Sequence, residues 1–302
     1  MAVVEVNNIR KSYDDFVAVD GVSFSIEEGT MFGLLGPNGA GKTTTMRMLM
    51  NIIVPDSGEI LLFGEHFSET HKNLVGYLPE ERGLYPRMKL LDQLQFMAEL
   101  KGMPATRARQ EAADWLKRFD LYEFADKKIQ ELSKGMQQKA QFIGTILHRP
   151  RLVIMDEPFS GLDPINAKFL KDILLELKNQ GMTIILSTHL MDQAEKLCEQ
   201  ICLVNKGKAV LKGKLSEIKQ RFSRNMVLLE YEGEGSRIAH LPGVEQVNDY
   251  GNYMEVRLAE GCKPQQFLRA LVEDGIEVRR FETTETPLEE IFIQIVGGGH
   301  HE

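Results

Sequence analysis

Short apolar runs alternate with longer amphipathic stretches through the first part of the chain. Residues 3–9 and 22–26 alternate between apolar and polar positions, as strands with one buried face do. More continuously apolar runs, typical of buried strands, follow at 33–35, 59–63, 153–155, 183–186 and 201–205. Because helical segments separate several of these strands, the pattern predicts a parallel sheet covered on both faces, in the α/β fold class.

Helical periodicity dominates between about residues 84 and 150. Apolar side chains recur there at spacings of three and four, for example at Leu90, Leu94 and Met97. The same spacing returns at Ala112 and Leu116. This stretch therefore predicts a helical subdomain inserted into the sheet-forming part of the chain.

The pattern changes again near residues 215–222, and a second domain is predicted at 221–297. Its strand-like runs lie at 227–231, 244–248, 253–258 and 276–281, its helix-like runs lie at 264–273 and 287–296, and residues 236–241 are a short helix or a loop. This order predicts a small α+β module of the ferredoxin-like βαββαβ type. The glycine- and histidine-containing end, residues 298–302, is predicted to be a disordered tail.

One segment between a predicted strand and a predicted helix matches the phosphate-binding pattern G-x-x-x-x-G-K-[ST]. Its glycines let backbone N–H groups curl around phosphate oxygens, and the helix N-terminus adds free donors. Lys42 is placed to reach the β- and γ-phosphates of a nucleotide, and the Thr43 hydroxyl to ligate Mg²⁺. The residues predicted to bind the nucleotide are Gly36, Pro37, Asn38, Gly39, Ala40, Gly41, Lys42, Thr43 and Thr44.

Two carboxylates, Asp156 and Glu157, end a predicted buried strand. Strand C-termini are where α/β sheets place their ligands. Asp156 is suited to hold Mg²⁺ through water, and Glu157 to polarise an attacking water as a general base. Two solvated acids at a strand end are the alternative, which the phosphate loop upstream disfavours.

A serine and a glycine, Ser133 and Gly135, open the helix-like run that follows Leu132. Taken alone, Ser133 predicts a helix N-cap. Free N–H groups at the same helix start would also suit an anion. The pattern alone therefore leaves a purely structural role open.

Composition narrows the functional class. The 302 residues carry a net charge of −8, which argues against a nucleic-acid partner because phosphate neutralisation needs a basic face. No apolar run approaches the roughly 18–20 residues of a membrane span, and residues 1–5 lack the features of a signal peptide. Three cysteines are too few for a disulfide framework and are expected to be reduced, as in the cytoplasm.

The order of motifs over residues 2–220 resembles that of the ATP-binding subunits of ABC transporters. The motifs are the phosphate loop, the helical insertion, Leu132–Gln137 (LSKGMQ), Asp156-Glu157, residues 160–163 (SGLD) and His189 after a strand. The resemblance implies a P-loop NTPase (RecA-like) ABC ATPase core at 1–220, with a β-subdomain and a helical subdomain. It also implies ATP and Mg²⁺ as cofactors.

In that family, two cassettes sandwich two ATP molecules head to tail. The resemblance implies that Ser133 and Gly135 of one subunit meet the γ-phosphate that the other subunit holds. His189 would be a catalytic switch residue contacting the γ-phosphate. Asp163 would lie in the loop joining the two sites, and Tyr13 would stack on adenine.

Three positions depart from the family pattern. Lys134 and Met136 stand where the usual signature has Gly and Gln. Glu80 stands where the family has a glutamine that senses Mg²⁺ and the membrane partner. A carboxylate binds a metal more strongly than an amide does, but it cannot donate hydrogen bonds. Thr43, Glu80 and Asp156 are therefore the expected metal-binding residues.

Residues 79–86 and the C-terminal module resemble the ATP-binding subunits of ABC-2-type exporters, particularly sodium-extrusion ATPases. This implies an ATPase that powers export through a separate membrane permease, as a homodimer or heterodimer on the inner face of the cell membrane. The permease is expected to dock near Glu80–Leu94, where Leu84, Tyr85 and Met88 offer apolar side chains. Packing of those side chains into the local core is the alternative.

Two rival functions are also open. The first is a non-transport ABC ATPase that acts on ribosomes or nucleic acid. Such proteins usually carry two cassettes in one chain, whereas this chain has one phosphate loop and no basic arm. The second is an unrelated P-loop kinase or switch, which would leave Ser133, Gly135 and His189 unexplained.

Overall fold

The computed structural model describes residues 2–81, 83–222, 226–233, 235–259, 261–284 and 286–297. The chain divides into two compact units, Met1–Gly213 and Lys214–Glu302. The predicted boundary at residue 220 assigns the segment 214–220 to the first domain, whereas this division assigns it to the second unit. The predicted tail, 298–302, lies outside the described residues.

The first unit combines two sheets with a set of helices. Its strands are β1 (Ala2–Tyr13), β2 (Phe16–Glu27), β3 (Met31–Leu35), β4 (Ser57–Leu62), β5 (Val75–Leu78), β6 (Leu152–Asp156), β7 (Thr183–Thr188), β8 (Gln200–Asn205) and β9 (Lys208–Lys214). Its helices are α1 (Lys42–Leu49), α2 (Leu90–Leu100), α3 (Ala105–Arg118), α4 (Lys134–Ile146), α5 (Pro164–Asn179) and α6 (Met191–Leu197). Short 3₁₀ helices lie at Glu69–Asn73, Tyr122–Phe124 and Ile129–Glu131.

The larger sheet has the strand order β5-β6-β7-β3-β8-β9, and its pairs from β5 to β8 are parallel. Strands β3, β6 and β7 are buried along their whole length, which explains their continuous apolar sequences. In the register, Asp156 pairs with Ser187, and Leu35 pairs with Thr188. The carboxyl ends of three neighbouring strands therefore meet at one edge, where α/β sheets bind ligands.

The smaller sheet of the first unit is antiparallel, with the order β2-β1-β4. It corresponds to the predicted β-subdomain, and its apolar side chains join those of β3 and α1 in one core cluster. Helices α2, α3 and α4 form the predicted helical subdomain. In α3, Ala108, Ala112 and Leu116 are buried at spacings of four, which is the periodicity read from the sequence.

Two strands of the larger sheet were not predicted. Strand β5 has only four residues, one of them Gly76, so its apolar run is too short to give a clear signal. Strand β9 carries lysines and a glycine and is largely exposed at the edge of the sheet. Polar edge strands of this kind lack the apolar pattern that identifies buried ones.

The second unit has its own core of apolar side chains. Its elements are α7 (Leu215–Phe222), β10 (Met226–Glu232), a 3₁₀ helix (Gly235–His240), β11 (Val244–Asp249), β12 (Met254–Leu258), α8 (Pro264–Glu273), β13 (Glu277–Thr284) and α9 (Leu288–Gly297). The sheet is antiparallel with the order β11-β12-β10-β13. The predicted βαββαβ order is present, with its first helix reduced to the 3₁₀ turn. Among the described residues of the chain, no helix has the length and apolar character that crossing a bilayer requires.

Candidate functional site

The phosphate loop connects β3 to α1 and packs tightly against β2 of the smaller sheet and β8 of the larger sheet. Gly36 has φ +149°, and a Cβ at this position would lie 2.1 Å from the carbonyl oxygen of Val204. Gly41 has φ +102°, and its Cβ would lie 2.4 Å from the carbonyl oxygen of Ala18. Glycine at both positions is therefore required by backbone conformation and by the close approach of neighbouring backbone.

The side chain of Lys42 folds back over this loop. Its Nζ donates hydrogen bonds to the carbonyl oxygens of Gly36 at 2.7 Å and Pro37 at 3.1 Å. Nζ also lies 3.7 Å from Glu157 Oε1. Burial lowers the pKa of Lys42, and the nearby charges of Glu157 and Asp156 oppose that shift. The ammonium group thus connects the loop with the carboxylate of Glu157.

Asp156 is almost completely buried at the end of β6. Its Oδ1 accepts a hydrogen bond from the hydroxyl of Ser187, on the adjacent strand β7. Its Oδ2 is buried and has no hydrogen-bond partner among the described residues. A buried carboxylate oxygen without a partner is costly, so this atom fits a cation or a cation-bound water beside the phosphate loop.

Glu157 adopts the left-handed conformation, with φ +49°. Successive side chains of an extended strand point to opposite faces, so this turn lets Glu157 and Asp156 line the same cleft. The backbone N–H of Glu157 donates to the carbonyl oxygen and the hydroxyl of Ser187, each at 3.2 Å. Oε1 of the Glu157 side chain accepts a hydrogen bond from the backbone N–H of His189 at 3.1 Å and lies 2.9 Å from His189 Nδ1. Strand β7 thereby fixes the position of the carboxylate.

Lys42, Asp156 and Glu157 line a cleft of about 340 Å³ beside the phosphate loop, whereas Ser187 and His189 are not among its lining residues. The lining residues are Phe16, Ala18, Asn38, Gly39, Gly41, Lys42, Thr43, Thr44, Glu80, Asp156 and Glu157. The cleft thus brings six of the nine predicted phosphate-binding residues together with all three predicted metal ligands, whereas Gly36, Pro37 and Ala40 are not among its lining residues. A larger cleft, of about 710 Å³, lies between α3 and α5 around Trp115 and shares none of these residues.

Other predicted residues lie outside the lining of this cleft. Ser133 caps α4, with its hydroxyl accepting from the Met136 N–H at 3.3 Å, and Gly135 has open space around its Cβ position. Asp163 caps α5 by accepting from the N–H groups of Ile165 and Asn166, each at 3.0 Å. The hydrogen bonds from Asn166, followed by that from Ile165, lower the pKa of Asp163.

Tyr13 ends β1 and is 45% exposed, also outside the lining of the cleft. Its ring faces Lys11, whose Nζ lies 5.8 Å from the ring centroid. The residue that pairs with it across the β1–β2 turn, Phe16, does line the cleft. Stacking of Tyr13 on adenine therefore stays a prediction.

Sequence reasoning missed the residues that hold the site together. Gln141 on α4 donates through Nε2 to the carbonyl oxygens of Pro79 at 3.3 Å and Glu81 at 3.2 Å. Gln138, one turn earlier, donates to the carbonyl oxygen of Pro158 at 3.2 Å. Helix α4 therefore anchors both the loop that carries Glu80 and the loop that follows Glu157. The spacing of three between two glutamines was the available signal, since it places them on one helix face.

Two family models match the chain. The model described as "ABC transporter" matches residues 19–160, and "ATP-binding protein DrrA1-3-like, C-terminal domain" matches residues 213–296. The ABC transporter ATP-binding protein YhaQ of Bacillus subtilis is 43% identical over 295 residues, which cover 98% of this chain and 99% of YhaQ. Nod factor export ATP-binding protein I of Ralstonia nicotianae is 36% identical over 219 residues, covering 72% of this chain and 68% of that protein.

A solved structure also resembles this chain. The structure of an ATP binding subunit of an ABC transporter aligns with a TM-score of 0.68 and 30% sequence identity. The alignment covers 73% of this chain and 93% of the solved one. The structural likeness therefore spans nearly all of that subunit.

Proposed function

The chain belongs to the family of ABC transporter ATP-binding proteins, and we propose that it hydrolyses ATP to drive export through a separate membrane permease. The main support is the cleft, where Lys42, Asp156 and Glu157 lie beside a phosphate loop whose shape only glycines allow. The direction of transport is inferred from relatives such as the Nod factor export protein.

Within this proposal, residues 36–44 bind the phosphates through backbone N–H groups and the start of α1. Lys42 exchanges its present carbonyl partners for the β- and γ-phosphate oxygens. Thr43, Asp156 and Glu80 are the residues that would hold Mg²⁺, which neutralises phosphate charge when bound with the nucleotide. The unpartnered Oδ2 of Asp156 supports this assignment.

Glu157 is the proposed general base, which orients and polarises the attacking water. Its carboxylate borders the cleft. Oε1 lies near the ammonium of Lys42 and also contacts the ring of His189. The side chain of His189 is 44% exposed, so its ring is also accessible to a γ-phosphate. We propose that His189 contacts the γ-phosphate and also holds Glu157 in position. These two contacts would link the bound nucleotide to the general base.

A second ATP-binding subunit would complete the site. Ser133, Gly135 and Asp163 lie outside the cleft of their own chain, and their side chains or Cα atoms face open space or solvent. In a head-to-tail dimer, Ser133 and Gly135 would meet the γ-phosphate bound by the partner subunit. Closure would then depend on contacts that both subunits make with ATP, and hydrolysis would remove them. A homodimer and a heterodimer both satisfy this arrangement.

Glu80 offers a test of the metal site. A carboxylate ligand binds Mg²⁺ more tightly than an amide oxygen, so Glu80→Gln should raise the Mg²⁺ concentration for half-maximal hydrolysis about three- to tenfold. Titration of ATPase activity with Mg²⁺ measures this. Glu81→Gln is the matched control, because Glu81 is exposed and does not line the cleft. Equal Mg²⁺ requirements for both variants and the parent would remove Glu80 from the proposed ligands.

The permease is proposed to dock on the segment Glu80–Leu94, of which Arg82 lies outside the described residues. Tyr85 is 56% exposed, and Leu84 and Met88 are half-buried beside it. We expect Tyr85→Ala to reduce the membrane-bound fraction of the chain severalfold in cells that contain its permease, because an exposed aromatic anchor is lost. Membrane fractionation measures this, and Tyr122→Ala, another exposed tyrosine of the first unit, is the control.

The same fractionation separates transport from the rival function. Co-sedimentation of the parent chain with ribosomes instead of membranes would contradict the proposal and favour a non-transport ATPase. The names of the relatives, which describe transporter subunits, disfavour that rival.

A further inference from the structure

A second cleft, of about 710 Å³, lies at the opposite end of the strands from the nucleotide cleft. The ends of α3, α4 and α5 form it, together with the residues that lead into β6 and β7. Asp156 lies at the far end of β6, and a five-residue strand spans about 17 Å, so the two clefts are separate. We call this one the Trp115 cleft, and its lining includes Trp115, Arg118, Arg149, Arg151, Leu177 and Met182.

Part of the Trp115 cleft is apolar. Ile146, Leu177 and Met182 in its lining are buried, and Trp115 is half-buried. The Trp115 ring packs against Phe119 with a centroid separation of 5.9 Å, which holds the indole in place. A fixed and partly accessible indole offers a flat apolar surface to a planar ring.

Three guanidinium groups surround this apolar part. Each donates a hydrogen bond to a carboxylate, in the pairs Arg118–Glu176, Arg149–Glu111 and Arg151–Glu28. The arginine side chains are 38%, 68% and 53% exposed, respectively. Ion pairs as exposed as these contribute little to stability. An anion that enters the cleft can therefore take over the guanidinium N–H groups at small cost.

The acidic residues of the lining have further partners of their own. Glu176 also accepts from Gln180 Nε2 at 3.2 Å, and Glu111 Oε1 lies 3.8 Å from the Nε of Arg107. The third acid, Asp114, lies 3.1 Å from the ammonium of Lys117.

Each acid thus keeps a partner when an arginine turns toward a ligand. The planar guanidinium fork then matches the paired oxygens of a carboxylate or phosphate.

The backbone of Arg149 supports a role for its side chain in binding. Arg149 has φ +55°, and its N–H donates to the carbonyl oxygen of Ile146 at 2.9 Å, just past the end of α4. Glycine or asparagine suits this left-handed conformation better than a long side chain does. The exposed pair with Glu111 does not offset the strain. An arginine at a strained position that faces a cleft points to a ligand rather than to stability.

We propose that the Trp115 cleft binds a small anion that carries a planar ring. The ring would pack on Trp115, and the carboxylate or phosphate oxygens would accept hydrogen bonds from Arg118 and Arg149. The inference goes beyond the proposed function and does not depend on it, because no residue of the nucleotide cleft takes part.

The fluorescence of Trp115, the single tryptophan of the chain, reports directly on this cleft. Phenyl phosphate and benzoate, the two ring-bearing probes, are titrated beside inorganic phosphate, which has no ring. A ring-bearing probe should give a saturable change with half-saturation at about 0.1–1 mM, the range for a ligand of this size. Inorganic phosphate should bind about tenfold more weakly or less, because it lacks the contact with the indole. The tighter of the two ring-bearing probes identifies the preferred oxyanion.

Arg118→Gln should weaken binding of the tighter probe about tenfold, because it removes charge-assisted hydrogen bonds. Arg109→Gln is the matched control. Arg109 lies on the same helix and also pairs with an acid, Asp92, but it does not line the cleft.

Arg149→Gly separates ligand binding from a structural role. Glycine removes the guanidinium and relieves the backbone strain, so binding should weaken about tenfold or more while the urea midpoint of unfolding stays the same or rises. A lower midpoint with unchanged binding would mean that Arg149 serves stability and would overturn its proposed role.

Three other results would also overturn the proposal. The absence of a saturable change with either ring-bearing probe would refute the site. Equal affinity for inorganic phosphate would refute the role of the ring. A change that neither Arg118→Gln nor Arg149→Gly affects would place the anion elsewhere. Failure of the parent chain to bind ATP would refute the proposed function alone and leave this site standing.

Discussion

Replacing Glu157 with glutamine is expected to lower the rate of ATP hydrolysis by about 10²–10⁴-fold while ATP stays bound. Glutamine keeps the size of the side chain and one acceptor oxygen, so it retains a partner for the His189 N–H, which donates to Oε1 at 3.1 Å. It loses the basic charge that would polarise the attacking water. Release of phosphate from ATP measures the rate, and calorimetry with ATP measures binding.

The same variant tests the proposed dimer. A subunit that binds ATP without hydrolysing it should accumulate in the closed state, so light scattering should show a shift from monomer to dimer on adding MgATP. Adding Ser133→Arg should abolish the shift, because the larger cation would obstruct the γ-phosphate contact between subunits. A Glu157→Gln protein that hydrolyses ATP at the parental rate would exclude Glu157 as the base. A monomer with ATP bound would mean that closure needs the permease or a different partner subunit.

Much of the candidate site could be predicted because its chemistry is local in sequence. The phosphate loop is one continuous motif, and the flanking elements β3 and α1 have clear apolar patterns. Asp156 and Glu157 follow a buried strand directly. A parallel sheet then brings the carboxyl ends of such strands to one edge, so the sequence already predicts their proximity.

The remaining features depend on contacts between segments far apart in the chain. The hydrogen bond from Ser187 that holds Asp156 crosses between strands, and no local pattern encodes it. The left-handed conformation of Glu157 is unusual for a residue with a Cβ, and sequence preferences would not assign it here. Phe16, which lines the cleft, was not singled out because an aromatic residue at the start of a strand ordinarily indicates packing.

Helix α4 connects these distant parts. Its N-terminus carries Ser133 and Gly135, the proposed contacts with the partner's nucleotide, while Gln138 and Gln141 hold the loops that carry Glu80 and follow Glu157. A displacement of α4 on dimer closure would therefore move the metal-binding loop and the base together. The segment proposed to dock on the permease begins at Glu80, so the same helix offers a physical route between ATP and the membrane partner.

Replacing Gly36 with alanine is the second change expected to have a large effect. The new Cβ would lie 2.1 Å from the carbonyl oxygen of Val204, and the backbone would have to keep φ +149°. Because a side-chain rotation can relieve neither the steric clash nor the backbone strain, we expect the free energy of unfolding to fall by about 3 kcal/mol or more. The displaced loop should also lose ATP binding. Urea denaturation followed by the fluorescence of Trp115, the single tryptophan, reports on the first unit.

Gly39→Ala provides the matched control within the same loop. Gly39 also has a positive φ, +77°, but no heavy atom lies within 4 Å of its Cβ position. The substitution should therefore carry only the backbone cost of about 1–2 kcal/mol. The difference between the two variants reports the close approach of Val204 to the loop together with the less favourable φ of Gly36. Equal losses of stability would mean that the loop is not held against β8, and the positioning of the phosphate-binding N–H groups would then need another explanation.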